Sequence, residues 1–138
     1  MKACIDSSSV KVILDTNALM VAEQFGVDIF SELLRLGYAQ WLVPASVLGE
    51  LRSLAKRADK GRDKIAARVA LGLAKGCHAV GEDNFDADQA IVELALETGA
   101  AVFTNDKALK KRLFSKDITV VYLRQRKYLE ATKKEYDV

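Results

Sequence analysis

The sequence predicts an α/β fold, a three-layer α/β/α arrangement around a central parallel sheet of four to five strands. Short apolar runs alternate with stretches of helical apolar period along the chain, the pattern of strand–helix–strand units with a parallel sheet. The first of these runs is almost continuously apolar, as strands buried on both faces are. The chain has 138 residues, half of them hydrophobic and a single one Pro, which suits one domain over residues 1–138 and does not match a disordered composition.

Taken in order, Val10 to Leu14 is a strand interrupted only by Lys11 and closed by Asp15, with Ser7, Ser8 and Ser9 as a loop before it. Val27, Phe30, Leu33 and Leu34 then keep a helical period. Gln40 to Val43 is a second strand, and Pro44 suits the opening of a helix whose face is Val47, Leu48, Leu51, Leu54 and Ala55. Residues 62 to 74 continue the period through Ile65, Val69 and Leu73, and Cys77 to Val80 is a short strand. Asp86 is placed to cap a helix with the face Ala87, Ala90, Ile91, Leu94 and Ala95. Ala101 to Thr104 and Ile118 to Leu123 complete the strands, with a helix from about Lys107 to Phe114 between them. The tail after Tyr128 is polar and leans to helix.

Composition excludes several classes of function. Cys4 and Cys77 lie far apart without CxxC spacing, which argues against a disulfide framework and a zinc ribbon. The N-terminus MKACIDSSS lacks the apolar stretch of a secretory signal, and no window approaches the roughly 18 uncharged apolar residues of a membrane span. A cytoplasmic protein without a membrane partner is expected. The only histidine, His78, lies in an apolar neighbourhood and reads as a packed residue, so histidine-based acid–base catalysis is not expected. No serine has a histidine partner for a triad, and there is no GxxxxGK[ST] loop.

The net charge of +2 hides a segregated distribution. Between Lys75 and Lys107 there is no Lys or Arg, while Glu82, Asp83, Asp86, Asp88, Glu93, Glu97 and Asp106 fall within or close to that stretch. Residues 52 to 68 carry seven basic side chains and residues 107 to 134 carry ten. Long charged side chains solvate helix faces by default, but an acidic centre with basic rims also suits a metal-dependent enzyme acting on a polyanion.

Four carboxylates stand out because of where the elements place them. In an open parallel sheet the functional crevice lies beyond the carboxyl ends of the strands. Asp15 follows Val-Ile-Leu and Asp106 follows Ala-Val-Phe-Thr-Asn, so both project there. Glu50 lies three residues from Val47 and four from Leu54, at the edge of its helix's buried stripe, and Asp88 stands likewise to Ile91. Each has a plain structural role open to it: Asp15, Asp106 and Asp88 near helix N-termini, Glu50 as a solvated flank. Gathered at one end of a sheet they repel one another and imply a divalent cation, and oxygen-only donors favour magnesium or manganese over zinc.

The segments VILDTN at 12–17, VPASVLGELRSL at 43–54, DADQAIVELALETGAAVFTND at 86–106 and VVYLRQRKYLE at 120–130 together resemble the PIN-domain ribonucleases. The likeness runs over nearly the whole chain in order, nearest to the archaeal branch similar to the small-subunit rRNA-processing nuclease and sharing its core with the VapC toxins. It implies that Asp15, Glu50, Asp88 and Asp106 are the catalytic, metal-binding acids, that Asn17 orients a water on the metal, and that Thr16 and Thr104 buttress the carboxylates. Asp86, two residues from the matched position, is a cap or an auxiliary acid.

The resemblance further implies single-strand RNA endonuclease activity dependent on magnesium or manganese, in which metal-activated water attacks the phosphodiester and leaves a 5′-phosphate and a 3′-hydroxyl. RNA is the expected substrate, with Arg52, Lys56, Arg124, Arg126 and Lys127 as candidate phosphate contacts. A homodimer, and an antitoxin or a ribosomal-assembly partner, are the expected associations. The role is rRNA processing or toxin action. The alternative is a noncatalytic PIN-fold module that binds RNA or protein. A phosphorelay receiver, also parallel-sheeted with an acidic pocket, requires an acidic pair after the first strand, where this chain has Asp15-Thr16-Asn17.

Overall fold

The computed structural model describes residues 11–57, 61–81 and 86–132; Cys4, the 7–9 serine loop, Val10, Glu82, Asp83 and the tail from 133 lie outside them. Strands β1 (Lys11–Leu14), β2 (Gln40–Pro44), β3 (His78–Val80), β4 (Ala101–Phe103), β5 (Val120–Arg124) and β6 (Tyr128–Ala131) form one sheet in the order β3-β2-β1-β4-β5-β6. The first five are parallel, and β6 returns antiparallel along β5, with Leu123 opposite Leu129. The sheet thus has six strands where four to five are predicted, and the added one comes from the segment that leans to helix in the sequence.

Helices α1 (Thr16–Phe25), α2 (Ile29–Arg35), α3 (Ala45–Arg57), α4 (Gly61–Ala74), α5 (Ala87–Thr98) and α6 (Lys107–Ser115) connect the strands. The strand order runs outward from β1 to β3 and then restarts at β4 on the other side of β1. Right-handed crossovers, the rule for parallel units, therefore put the helices before β3 on one face and α5 and α6 on the other. The packing agrees, with α1, α3 and α4 touching one another and α5 touching α6, while α3 and α5 also meet. The order reverses between β1 and β4, and in doubly wound sheets the crevice opens at that reversal.

Central strands are apolar, Lys11 at the start of β1 excepted, because both faces are covered. Val12, Ile13, Leu14, Val102 and Phe103 are fully buried, and Leu19, Leu33, Leu51, Ile91, Leu109 and Leu113 close over them from the helices. Burial of each large side chain in such a core stabilises by about 1.5–3 kcal/mol. Helix α5 shows the local logic: Asp86 accepts a hydrogen bond from the Gln89 N–H at 3.2 Å, and Gly99, at φ 74°, ends the helix with its N–H on the Ala95 carbonyl. The cap role expected of Asp86 is the one it fills.

One expectation gives way at the sheet margin. His78 is exposed, because β3 is a three-residue edge strand paired only to β2, and its apolar sequence neighbours do not enclose it. Cys77 is half-buried, its thiol pushed up to about 11 by burial. At the opposite edge, the Leu129 N–H donates to Glu32 Oε1 (3.0 Å) and Arg35 donates to the Leu129 carbonyl (2.8 Å). An α2 ion pair thereby occupies both outward backbone groups of a β6 residue.

Candidate active site

The carboxyl ends of β1 and β4 open into a cleft of about 620 Å³ lined by Asp15, Thr16, Asn17, Met20, Glu50, Leu54, Asp88, Asn105, Asp106 and Lys107. All four acids singled out from the sequence border it. Asp15 leaves β1 directly, Asp106 caps α6 through the Leu109 N–H at 3.3 Å, Asp88 sits in the first turn of α5, and Glu50 projects from α3. Cap and cleft roles coexist at Asp106 because a carboxylate has two oxygens and the cap bond uses one.

Two threonines tie the acids to the frame. The fully buried Thr104 hydroxyl donates to Asp15 Oδ2 at 2.6 Å while its oxygen accepts the Asp106 N–H at 3.1 Å, so one side chain sets the spacing of two acids from different strands. The Thr16 hydroxyl donates to Glu50 Oε1, joining the start of α1 to α3. Asn17 is exposed at the cleft.

Asn105, which the sequence reading passes over, works behind this arrangement. Its amide carbonyl accepts the Leu123 N–H at 2.8 Å and its NH₂ donates to the Leu123 carbonyl at 3.4 Å, continuing the β4–β5 ladder past the last strand pair. Lys107 is the other omission, a cation inside an otherwise acidic cleft. Its position directly after Thr-Asn-Asp is the signal that could have found it.

The electrostatics are those of a site short of positive charge. Burial pushes the Asp15 carboxyl up to about 6 against the hydrogen bond from Thr104, and Asp88 and Glu50 push the same way. Asp88 is raised first by burial and then by Asp86 and Asp106, with Arg112 opposing. Ser46, one turn before Glu50, has a buried hydroxyl without a hydrogen-bond partner among the described residues. No three metal-ligating side chains among the described residues are close enough to form a finished ligand set. The donor chemistry nonetheless fits a hard divalent cation: carboxylate oxygens, mutually repelling, with one strongly desolvated.

The basic candidates divide. Arg52 lies 200° around α3 from Glu50 and lines a separate groove of about 510 Å³ with Arg68 and Lys75, so it does not border the acidic cleft as its place on the Glu50 helix suggests. Lys56 is exposed further along α3 and is likewise not among the cleft's lining residues. Arg124 ends β5, at the acidic end of the sheet, but is held by Glu130 at 2.7 Å. Arg126 and Lys127 are exposed in the turn after β5.

A doubly wound parallel sheet with acids from four elements gathered where its strand order reverses is the architecture of the PIN-domain proteins. Comparison with known proteins agrees on this class. The family model described as "PIN like domain" matches residues 12–126, and the chain belongs to that family. It is 35% identical over 115 residues to Ribonuclease VapC9 of Archaeoglobus fulgidus, covering 83% of this chain and 84% of that one. It is 33% identical over 124 residues to Ribonuclease VapC4 of Methanocaldococcus jannaschii, covering 87% and 95%. Among solved structures, the PIN domain endonuclease Utp24 superposes with a TM-score of 0.71 at 25% identity, over 91% of this chain and 92% of that one. A domain of a functionally unknown protein from Methanocaldococcus jannaschii shares the fold at a TM-score of 0.58 and 21% identity, over 84% and 92%.

Proposed function

We propose that this protein is an endoribonuclease that cuts single-stranded or loop RNA with magnesium or manganese bound by Asp15, Glu50, Asp88 and Asp106. The observation that carries the reading is the meeting of these four acids in one cleft at the carboxyl ends of the strands, and the ribonuclease names of the VapC9 and VapC4 relatives support it. A divalent cation bound there supplies Lewis-acid polarisation of the phosphoryl oxygen and lowers the pKa of water.

The chain's own residues do the rest. Thr104 and Thr16 fix the directions of the Asp15 and Glu50 carboxylates, Asn17 offers an amide at the mouth, and the Lys107 ammonium neutralises phosphate charge. A free carboxylate edge accepts the proton of the attacking water. An open crevice admits an unstacked strand, whereas an A-form duplex holds its phosphates in a fixed helical geometry, so duplex is a poor substrate. Toxin action with an antitoxin partner and ribosomal RNA maturation both use this chemistry, and crosslinking to RNA in the native cell followed by sequencing separates them.

The test is a labelled RNA hairpin incubated with purified protein and manganese, beside an Asp106→Asn control prepared identically. Loop cleavage abolished by chelator and by the substitution is expected. Equal cleavage by both proteins means a contaminating nuclease, and intact RNA across several substrates moves the reading to a noncatalytic docking module.

A further inference from the structure

We propose that Phe25 and Arg126 form a stacking subsite for one base of the RNA strand, outside the acidic cleft and beside the turn that follows the carboxyl end of β5. The inference rests on the ribonuclease reading and adds where the strand is gripped. Phe25 ends α1 and is 42% exposed. Its face is partly covered by the Arg126 guanidinium, whose carbon lies 5.5 Å from the ring centroid. A π-face with a planar cation against it is the kind of surface on which an unpaired base stacks.

The segment that delivers Arg126 is shaped for presentation. In the turn from Arg124 to Lys127, the Lys127 N–H donates to the Arg124 carbonyl at 3.1 Å, and Gln125 and Arg126 have φ of 55° and 59°. Those are the φ signs of a type I′ turn, where Asn-Gly is favoured and long side chains cost roughly 1–2 kcal/mol each. Arg124 is already committed to Glu130, whereas Arg126 and Lys127 make no ion pair among the described residues. Ring and guanidinium together match a nucleotide: a face for the base and charge for its phosphate.

The β5–β6 turn that carries Arg126 follows the carboxyl end of β5, the end of the sheet at which the acids lie. Helix α1 begins in the cleft at Thr16 and ends at Phe25, outside the cleft lining, half a turn round the axis and nine residues on, roughly 13.5 Å at the helical rise. That is about four nucleotides of a stacked strand at 3.4 Å each, and fewer of an extended one. Asn17 and Met20, on the intervening surface, line the cleft itself.

The experiment is equilibrium binding, with divalent ions chelated, of short unstructured RNA oligonucleotides in which one nucleotide at a time is made abasic. Wild type is compared with Phe25→Leu and Phe25→Trp, each verified as folded by circular dichroism. For the intact RNA, Phe25→Leu is expected to raise Kd about 5- to 100-fold, the range for loss of one base stack, while Phe25→Trp retains affinity. The decisive result is coupling: one abasic position weakens wild-type binding by that factor and leaves Phe25→Leu almost unaffected. If wild type cleaves the RNA yet Phe25→Leu binds within about twofold of it, or responds to every abasic position as wild type does, the ring only anchors the turn and the subsite is overturned. If wild type neither binds nor cleaves RNA, the nuclease reading falls and the subsite with it.

Discussion

Replacing Asp15 with Asn is expected to stabilise the metal-free protein at neutral pH and to remove part of its pH dependence. Asp15 is only 6% exposed, and burial raises its carboxyl from 3.8 to about 6. A raised carboxyl pKa means that ionisation costs more in the folded state than in the unfolded one. The group's contribution to stability is therefore fully present below about pH 3.8, declines as pH rises through about 6, and is absent at pH 7.5. At 1.36 kcal/mol per pKa unit the deficit at pH 7.5 is at most about 3 kcal/mol. Asn keeps an oxygen that can accept the Thr104 hydroxyl and carries no charge, so Asp15→Asn recovers most of that deficit. For a domain of this length the melting temperature then rises by roughly 5–10 °C. The assay is thermal melting by circular dichroism from pH 4 to 7.5 in chelator, then with manganese. The gap between variant and wild type is expected to open as pH rises and to narrow or invert with manganese, because only the wild type gains full binding energy. A variant less stable than wild type at pH 7.5 in chelator would refute the reasoning, as would a gap that stays constant with pH.

Calorimetric titration of manganese is expected to show at least about tenfold weaker binding for Glu50→Gln and for Asp88→Asn, and unchanged affinity would remove that residue from the metal site. Lys107→Ala is expected to raise KM for RNA several-fold and to reduce the slope of log affinity against log salt by about 1, measured by filter binding across salt concentrations. Paired Ala substitutions at Arg124 and Arg126 should flatten that slope by about 1 to 2, most of it from Arg126 because Arg124 is engaged by Glu130. Glu32→Ala is expected to cost about 1–3 kcal/mol in denaturant unfolding, since it leaves the N–H of the fully buried Leu129 without its acceptor.

Much of the architecture is legible because its signals are local. Strands β1 and β4 announce themselves as short apolar runs ending in Asp, and α5 carries both a cap and a terminating glycine. The acids converge because two of them follow strands of the same direction and two lie at the edges of buried helical stripes. What escapes depends on less local information. Helix α1 is signalled only by the cap role open to Asp15, since the apolar residues from Ala18 to Ala22 run on without a helical period. The β5–β6 hairpin is missed because its turn residues are Gln125 and Arg126, which carry no turn signal and take left-handed angles in the folded chain. The partners that secure β6, Glu32 and Arg35, lie more than ninety residues away in sequence. That Arg52 lines a separate groove is equally hidden, because proximity in sequence to Glu50 says nothing of the 200° between them on the helix.

The side-chain pair that takes up the backbone of Leu129 makes the two margins of the sheet chemically unequal. Along β6 the groups that would template an incoming strand are already spoken for at that residue, so this side resists lateral growth without relying on proline or a bulge. Along β3 the protection comes from brevity instead: three residues give an approaching strand too few rungs to hold. A single charge reversal at Glu32 would free the Leu129 N–H for an incoming strand while the second margin stayed as it is, and self-association would then acquire a direction.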